Sequence, residues 1–142
     1  MTKFLSFILL LILCIGCSKK NNPPPVTASI VGTWYVTTDT LTTYSNGIAG
    51  APYVTNLNHS AYMKFNNDGT GLTYNGDYLD FTYTISDQTA VISYAAHTGD
   101  YVAPAFTQKP VIKQLDANNL YIVIGSPSPN TNVDVEAIRF VK

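Results

Sequence analysis

The stretch that decides the predicted fold is I-V-G-T-W-Y-V, residues 30–36. Gly32 leads into Trp34, the only tryptophan of the chain, and aromatic and β-branched residues follow it. Side chains of these kinds fit the pleated, half-buried surface of a sheet. We therefore expect the first strand to begin here, with a targeting segment and a tether before it and further strands after it.

The composition is that of one globular domain. Of the 142 residues, 46% are hydrophobic and 12% are charged, a balance that disordered chains do not have. Ten tyrosines, runs of threonine and frequent Asn, Asp and Gly are typical of strands and turns. The net charge of -1 offers no basic patch for a phosphate backbone. We expect an all-β domain and exclude nucleic acid as a partner.

Residues 1–16 have the pattern of a signal peptide. Lys3 precedes the apolar run 4–15, which is too short to span a bilayer but suits a signal-peptide core. The sequence L-C-I-G-C at 13–17 resembles the lipobox of bacterial lipoproteins. That resemblance implies a lipid anchor of acyl chains on Cys17. The alternatives are an unmodified thiol at Cys17 after ordinary cleavage, or an uncleaved anchor.

Residues 17–29 then form a polar, proline-rich linker, with three consecutive prolines at 23–25 that stiffen it. Ser18 stands where an Asp would favour retention in the inner membrane, by resemblance to the sorting rules of Gram-negative lipoproteins. The resemblance therefore implies a lipid-anchored protein of the outer membrane that faces the periplasm.

Residues 30–142 are predicted to form the folded domain. Short turn signals such as Asn67-Asp68-Gly69 separate the apolar runs and favour up-and-down order over a Greek key. We expect an antiparallel up-and-down barrel of eight strands, with a β-sandwich as the alternative. The predicted strands are 34–43, 61–66, 70–74, 79–86, 90–94, 110–115, 120–124 and 133–141.

Alternation of apolar and polar residues predicts which side chains face the barrel interior. It is clearest in the fourth predicted strand, where Phe81 and Tyr83 belong to the inward set. In the last predicted strand it turns Arg139 inward with Val133, Val135, Ala137 and Val141, and leaves Glu136, Ile138 and Phe140 outside. A β-bulge would reverse this assignment, because it shifts the register by one residue.

Two short motifs resemble those of lipocalin-like proteins. Gly32-Thr33-Trp34 is similar to the G-x-W motif of lipocalins, and F-N-N-D-G-T-G at 65–71 resembles a hairpin of lipocalin-like domains in bacterial envelope lipoproteins. The resemblance implies an eight-stranded barrel whose tryptophan lies under a basic side chain at the closed end. Because Arg139 is the only arginine, we expect Gly32, Trp34 and Arg139 to close the barrel, with a cation–π contact worth about 0.5–2 kcal/mol.

An eight-stranded barrel either holds one small ligand or is filled by its own side chains. The first hypothesis predicts a cavity of several hundred cubic ångströms for a small apolar or amphipathic ligand. The second predicts an interaction module with an exposed patch over Tyr121, Val123, Ile138 and Phe140. The predicted ligand cavity is lined by Met63, Phe65, Phe81, Tyr83, Ile92, Tyr94, Leu120 and Ile122.

Catalytic chemistry has no support in the sequence. His59 and His97 each stand alone, without a second His or Cys at the spacing of metal ligands. Asp134 and Glu136 share one face of a strand, which a solvated barrel mouth explains. We therefore expect a protein that is not an enzyme and that carries no metal and no cofactor.

Overall fold

The computed structural model describes residues 28–98 and 102–142. The predicted signal peptide, the lipid anchor Cys17 and nearly all of the linker lie outside the described residues. Within the two described ranges, no helix is long and apolar enough to cross a membrane.

The described residues form β-strands and connecting turns, and all eight predicted strands are present. Five further strands are short and lie within segments that were predicted as loops. In chain order the strands are β1 (Gly32–Ser45), β2 (Ile48–Ala49), β3 (Tyr53–Asn56), β4 (Tyr62–Phe65), β5 (Thr70–Tyr74), β6 (Tyr78–Ser86), β7 (Thr89–Tyr94), β8 (His97–Thr98), β9 (Val102–Ala103), β10 (Phe106–Gln108), β11 (Val111–Leu115), β12 (Asn119–Ile124) and β13 (Asn132–Val141).

The long strands close into a barrel. Each pairs antiparallel with the next in the order β1, β4, β5, β6, β7, β11, β12 and β13, and β13 returns to β1. Neighbours in the barrel are therefore also neighbours among the long strands of the chain. The predicted all-β, up-and-down, eight-stranded barrel is confirmed.

One seam of the barrel is interrupted. Strand β7 pairs with β10 through Phe106 opposite Tyr94, and with β11 only through Val111 opposite Thr89. Between β10 and β11 stands Pro110, which has no N–H to donate, but its carbonyl oxygen accepts a 3.0 Å hydrogen bond from the amide of Ala90. Strands β10 and β11 thus both pair with β7 and together form one side of the barrel, which is interrupted between them.

The hairpin between β4 and β5 shows why its sequence folds as predicted. Gly69 has a φ of 82°, a conformation that glycine adopts without a steric penalty. The Asp68 Oδ1 atom accepts hydrogen bonds from the amide and the hydroxyl of Thr70, at 3.0 and 2.6 Å. These bonds lower the pKa of Asp68. The turn is therefore organised by its own side chains.

The predicted facing of the last strand is wrong. Phe140 is buried opposite Val36, and Ile138 and Glu136 follow it on the interior face, whereas Arg139 is exposed. A bulge lies in β1, between Val36 and Thr38. The outer face of β13 carries the apolar residues Val135 and Ala137, which is why alternation assigned that face to the interior. Both residues line an outer groove together with the connecting residues 125–127.

One part of the interior is packed with large side chains. Trp34, Phe65, Phe140 and Leu120 are among the largest fully buried ones. The Phe65 ring makes an edge-to-face contact with that of Phe81, with the centroids 5.3 Å apart. The core residues with less than a tenth of their surface exposed are Ile30, Trp34, Val36, Ala61, Met63, Phe65, Phe81, Ala90, Ile92, Tyr94, Ile112, Leu120, Ile122 and Phe140.

Candidate functional site

The closed end of the barrel is built around Trp34. Its side chain is completely buried, and its indole N–H donates a 2.6 Å hydrogen bond to the carbonyl oxygen of Ile30. The ammonium nitrogen of Lys142 lies 4.7 Å from the centroid of the Trp34 ring. A buried tryptophan is thus covered by a basic side chain from the other end of the domain.

That basic side chain is Lys142, so the predicted Trp34–Arg139 contact is wrong. Arg139 lies over Tyr121 instead, with its guanidinium carbon 4.3 Å from the ring centroid. Because Tyr35 pairs with Val141, Trp34 comes beside the residue after Val141, which is Lys142. The bulge in β1 places Arg139 opposite Thr38, and the Arg139 side chain is exposed.

The conformation of its backbone is what favours glycine at position 32, close to Lys142. A Cβ atom at Gly32 would lie 2.9 Å from Cε of Lys142, and the φ of Gly32 is 137°, which side-chain-bearing residues rarely adopt. Of the three predicted closure residues, Gly32 and Trp34 therefore lie at the closure, and Lys142 takes the place predicted for Arg139.

The barrel interior also contains a cavity of about 180 Å³. Typical ligand sites measure about 300–1,000 Å³, so this cavity is smaller than predicted. An apolar cavity of roughly 150 Å³ still accommodates benzene. Its lining side chains are Val36, Asp39, Leu57, Tyr62, Met63, Thr73, Tyr74, Asn75, Ile92, Tyr94, Gln108, Ile122, Ile124, Glu136, Ile138 and Phe140.

Two carboxyl groups line this cavity. Asp39 pairs with Ile138, and Leu41 pairs with Glu136, so Asp39 and Glu136 are diagonal neighbours on the inner face of β1 and β13. They lie close enough to share a hydrogen bond when one of them is protonated. We refer to them as the carboxylate pair.

The surroundings of the carboxylate pair disfavour negative charge. The Oδ1 atom of Asp39 is buried and accepts no hydrogen bond from the part of the chain that the structure describes. Burial raises the pKa of both carboxyl groups, because it removes water from the charged form. The charge of Asp39 raises the pKa of Glu136 further. None of the lining residues is Lys, Arg or His.

A tyrosine hydroxyl contributes to the same polar region. The Tyr94 ring is buried, and its hydroxyl oxygen lies 3.3 Å from the hydroxyl oxygen of Thr73. Burial and the charge of Glu136 raise the pKa of Tyr94, which keeps this hydroxyl protonated and able to donate. The cavity therefore combines apolar walls with carboxylate and hydroxyl groups.

The sequence of the barrel domain matches a known protein family. The sequence model of a family described as a lipocalin-like domain matches residues 30–122. This chain belongs to that family. A lipocalin-like barrel is a fold suited to binding small ligands. No curated protein and no solved structure matched the chain.

The lipocalin-like domain places the predicted cavity residues in two groups. Met63, Ile92, Tyr94 and Ile122 line the cavity. Phe65, Phe81, Tyr83 and Leu120 do not line it, because they pack elsewhere: Leu120 and the two phenylalanines are core residues, and the Tyr83 ring stands edge-on to Phe65 at 5.0 Å. For these eight residues alternation identified inward side chains, but it carries no information on which of them leave space between them.

Sequence reasoning missed the carboxylate pair of the lipocalin-like domain. Glu136 was assigned to the outer face, and Asp39 was not considered as a site residue. A signal was present, since Asp39 interrupts a run of β-forming residues in the longest strand. Without the position of the bulge, that signal did not show on which face Asp39 lies.

Neither histidine is among the residues that line the cavity with the carboxylate pair. The His59 ring contacts that of Tyr35 edge-on at 5.8 Å, and His97 belongs to the short strand β8, which pairs with β9. Over residues 28–98 and 102–142, no three His, Cys, Asp or Glu side chains come together as a metal site.

The predicted apolar patch is also not formed as proposed. Tyr121 and Val123 line an outer groove, but Ile138 and Phe140 line the cavity on the other side of the sheet. The large apolar side chains that are most exposed include Ile48 of β2 and Tyr53 of β3, which are 74% and 72% exposed.

Proposed function

We propose that this protein is a membrane-anchored, non-enzymatic lipocalin-like lipoprotein that binds a small apolar or amphipathic ligand in its barrel. The observation that carries the proposal is the cavity between the packed core and the carboxylate pair, in a domain whose family fold suits small ligands. Eight of its lining side chains are Val, Leu, Met, Ile or Phe, and burial of an apolar ligand against them is favourable at about 25 cal/mol per Å².

The size of the cavity limits the ligand. At about 180 Å³, the space suits a molecule on the order of ten non-hydrogen atoms, only slightly larger than the benzene that fits roughly 150 Å³. A long acyl chain would have to extend through the mouth of the barrel. The proposal is therefore a ligand the size of a single ring or a short alkyl chain.

A native mass spectrum of the protein purified from its own membrane tests the proposal. We expect a retained small molecule, which a cavity-filling variant no longer carries. Ile124→Trp fills the space, because Ile124 lines the cavity. Val123→Trp is the matched control, since Val123 lies on the outer face of the same strand.

Two results would contradict the cavity as the site. The first is a ligand that stays bound in the Ile124→Trp variant while that variant remains folded. The second is wild-type protein that carries no molecule and binds none from a panel of small apolar compounds.

The membrane anchor is the second part of the proposal, and its support is the lipobox resemblance at residues 13–17. Several acyl chains on one residue give stable attachment where a single chain is marginal. We place the protein at the outer membrane, facing the periplasm. Cys17→Ala should abolish labelling by a radioactive fatty acid, whereas Cys14→Ala, within the predicted signal peptide, should keep it. Labelling that persists in Cys17→Ala would disprove the anchor.

A second candidate function is an envelope interaction module. The observation in its favour is the exposed apolar surface of β2 and β3, where Ile48, Tyr53 and Val54 are each more than half exposed. A replacement of Tyr53 by Ser that removes a co-purifying protein, in a barrel that holds no ligand, would favour this candidate over the first.

A further inference from the structure

The inference concerns the charge of the ligand and rests on the proposed function. The cavity holds two carboxyl groups, and the protein supplies no cation to them from the lining residues. One carboxylate oxygen, Oδ1 of Asp39, is buried without a hydrogen-bond donor among the described residues. A buried acceptor left unpaired costs roughly 1–3 kcal/mol, and more when it is charged. The arrangement lacks a cationic hydrogen-bond donor.

We propose that the carboxylate pair binds the ammonium group of a small amphipathic amine, whose apolar part occupies the rest of the cavity. An ammonium group has three N–H donors and no acceptor. Asp39 and Glu136 provide the negative charge for it, and the Tyr94 hydroxyl is a further acceptor on the same cavity wall. Such hydrogen bonds between charged groups are about twice as strong as neutral ones.

Other ligands fit this arrangement less well. An anion would be repelled by Asp39 and Glu136, which no lining cation neutralises. A divalent metal ion such as Ca²⁺ takes about six to eight oxygen ligands, more than the two carboxyl groups provide among largely apolar neighbours. A neutral apolar molecule would offer the carboxylate pair no donor, and the two carboxyl groups would have only a shared proton between them. An organic cation pairs its positive charge with the carboxylate pair and packs its apolar part against the apolar side chains of the cavity.

The charges near the cavity support the same conclusion. Asp134 is exposed and lies beyond the cavity on the same face of β13 as Glu136, where its Oδ1 atom accepts a 2.7 Å hydrogen bond from the hydroxyl of Thr43. The titratable groups that line the cavity are Asp39, Tyr62, Tyr74, Tyr94 and Glu136. None of these side chains can carry a positive charge, so the cavity wall offers an entering molecule only neutral or negative groups.

Three probes of nearly equal shape but different charge isolate the effect of ligand charge on affinity. The full chain in phospholipid nanodiscs is titrated by calorimetry at pH 7.5 with 2-phenylethylammonium, 2-phenylethanol and phenylacetate. We expect the ammonium probe to bind at least tenfold more tightly than the alcohol, and phenylacetate to bind most weakly. The nanodisc avoids detergent, which would compete for an apolar cavity.

Two isosteric variants locate the effect. Asp39→Asn and Glu136→Gln should each weaken binding of 2-phenylethylammonium by at least tenfold and leave binding of 2-phenylethanol within about threefold, because the cavity shape is kept. Retained binding of the alcohol also shows that each variant is folded. Asp80→Asn is the control: it removes an exposed carboxylate from β6, which does not line the cavity, and should change neither affinity.

The outcomes separate this inference from the function on which it rests. Equal affinity for the ammonium and the alcohol, or an ammonium affinity that both variants retain, would overturn the amine proposal and leave a neutral-ligand site. Tightest binding of phenylacetate would also overturn it. If none of the three probes binds, the small-ligand function of the cavity fails together with the amine proposal.

Discussion

Two basic side chains near the end of the chain contact aromatic rings: Arg139 lies over Tyr121, and Lys142 lies over Trp34. Lys142→Ala should lower the free energy of unfolding by about 0.5–2 kcal/mol, the range for a cation–π contact, and should change the fluorescence of Trp34. Because Trp34 is the only tryptophan, tryptophan emission reports the surroundings of this one residue. The measurement is a denaturant titration followed by tryptophan emission.

Arg139→Ala is the matched control for Lys142→Ala. It removes a cation from the ring of Tyr121, on the outside of the barrel. The emission of Trp34 should stay that of the wild type. If Arg139→Ala shifts the emission and Lys142→Ala does not, the closure described here is wrong.

Glu136 should make the unliganded protein less stable as the pH rises. Burial and the charge of Asp39 raise its pKa in the folded state, so the folded state holds this proton more tightly than the unfolded state does. Stability is therefore lost as the pH rises from the unfolded pKa, about 4.3, through the folded pKa. Glu136→Gln should raise the melting temperature at pH 7.5 by a few degrees. The melting temperatures of the variant and the wild type should become equal below about pH 4.

Thermal melts between pH 4 and pH 8 test this dependence. Asp80→Asn, which changes the net charge equally but on the outer face, separates it from a general charge effect. A Glu136→Gln variant that is less stable than the wild type at every pH would show that the carboxylate is stabilising in its site.

Among the elements, the hairpin between β11 and β12 depends most on one side chain. The Oδ1 atom of Asp116 accepts hydrogen bonds from the amides of Asn118 and Asn119 at 2.9 and 2.8 Å, and Oδ2 accepts one from the side chain of Gln114 at 2.7 Å. These bonds lower the pKa of Asp116 to about 2. A lowered carboxyl pKa stabilises the folded state above the unfolded value, about 3.9, and this contribution is lost as the pH falls through about 2.

Asp116→Ala should therefore destabilise the protein at pH 5 to 7 and lose this effect near pH 2. The amides of Asn118 and Asn119 should exchange faster with deuterium, as measured by NMR. Asp116→Asn keeps an acceptor oxygen without the charge, so its stability and amide exchange rates should lie between those of the wild type and of Asp116→Ala. Equal exchange in all three proteins would mean that the backbone alone holds the turn.

The elements also show how far a sequence predicts this structure. The eight long strands follow from alternation and from turn residues such as Asn67-Asp68-Gly69, because both signals are local. The facing of β13 was wrong because apolar residues lie on both of its faces, and because Glu136 breaks the rule that charged side chains face water. Strands β2 and β8 have two residues each, too few for any periodicity.

For the whole molecule, the order in which the barrel assembles is testable with two buried phenylalanines. Phe65 belongs to the local β4–β5 hairpin, and Phe140 belongs to β13, which pairs with the first strand; each is 2% exposed. Local contacts form at a lower entropic cost than distant ones. Phe65→Leu should therefore slow folding, and Phe140→Leu should mainly accelerate unfolding.

Stopped-flow folding and unfolding rates measure the two effects. Each variant removes a similar part of the core, so the pair controls for the size of the substitution. If Phe140→Leu slows folding more than Phe65→Leu does, the closure of β1 with β13 forms early and the proposed order is reversed.

The pairing of β1 with β13 also bears on synthesis and transport. The hydroxyl of Thr37 donates a 3.1 Å hydrogen bond to the carbonyl oxygen of Arg139, 102 positions later in the chain. A ribosome that has released only the first half of the domain has therefore released no partner for the far side of its longest strand. We therefore expect the nascent chain to stay incompletely folded until the last strand emerges, which is the form that export under the proposed signal peptide would require.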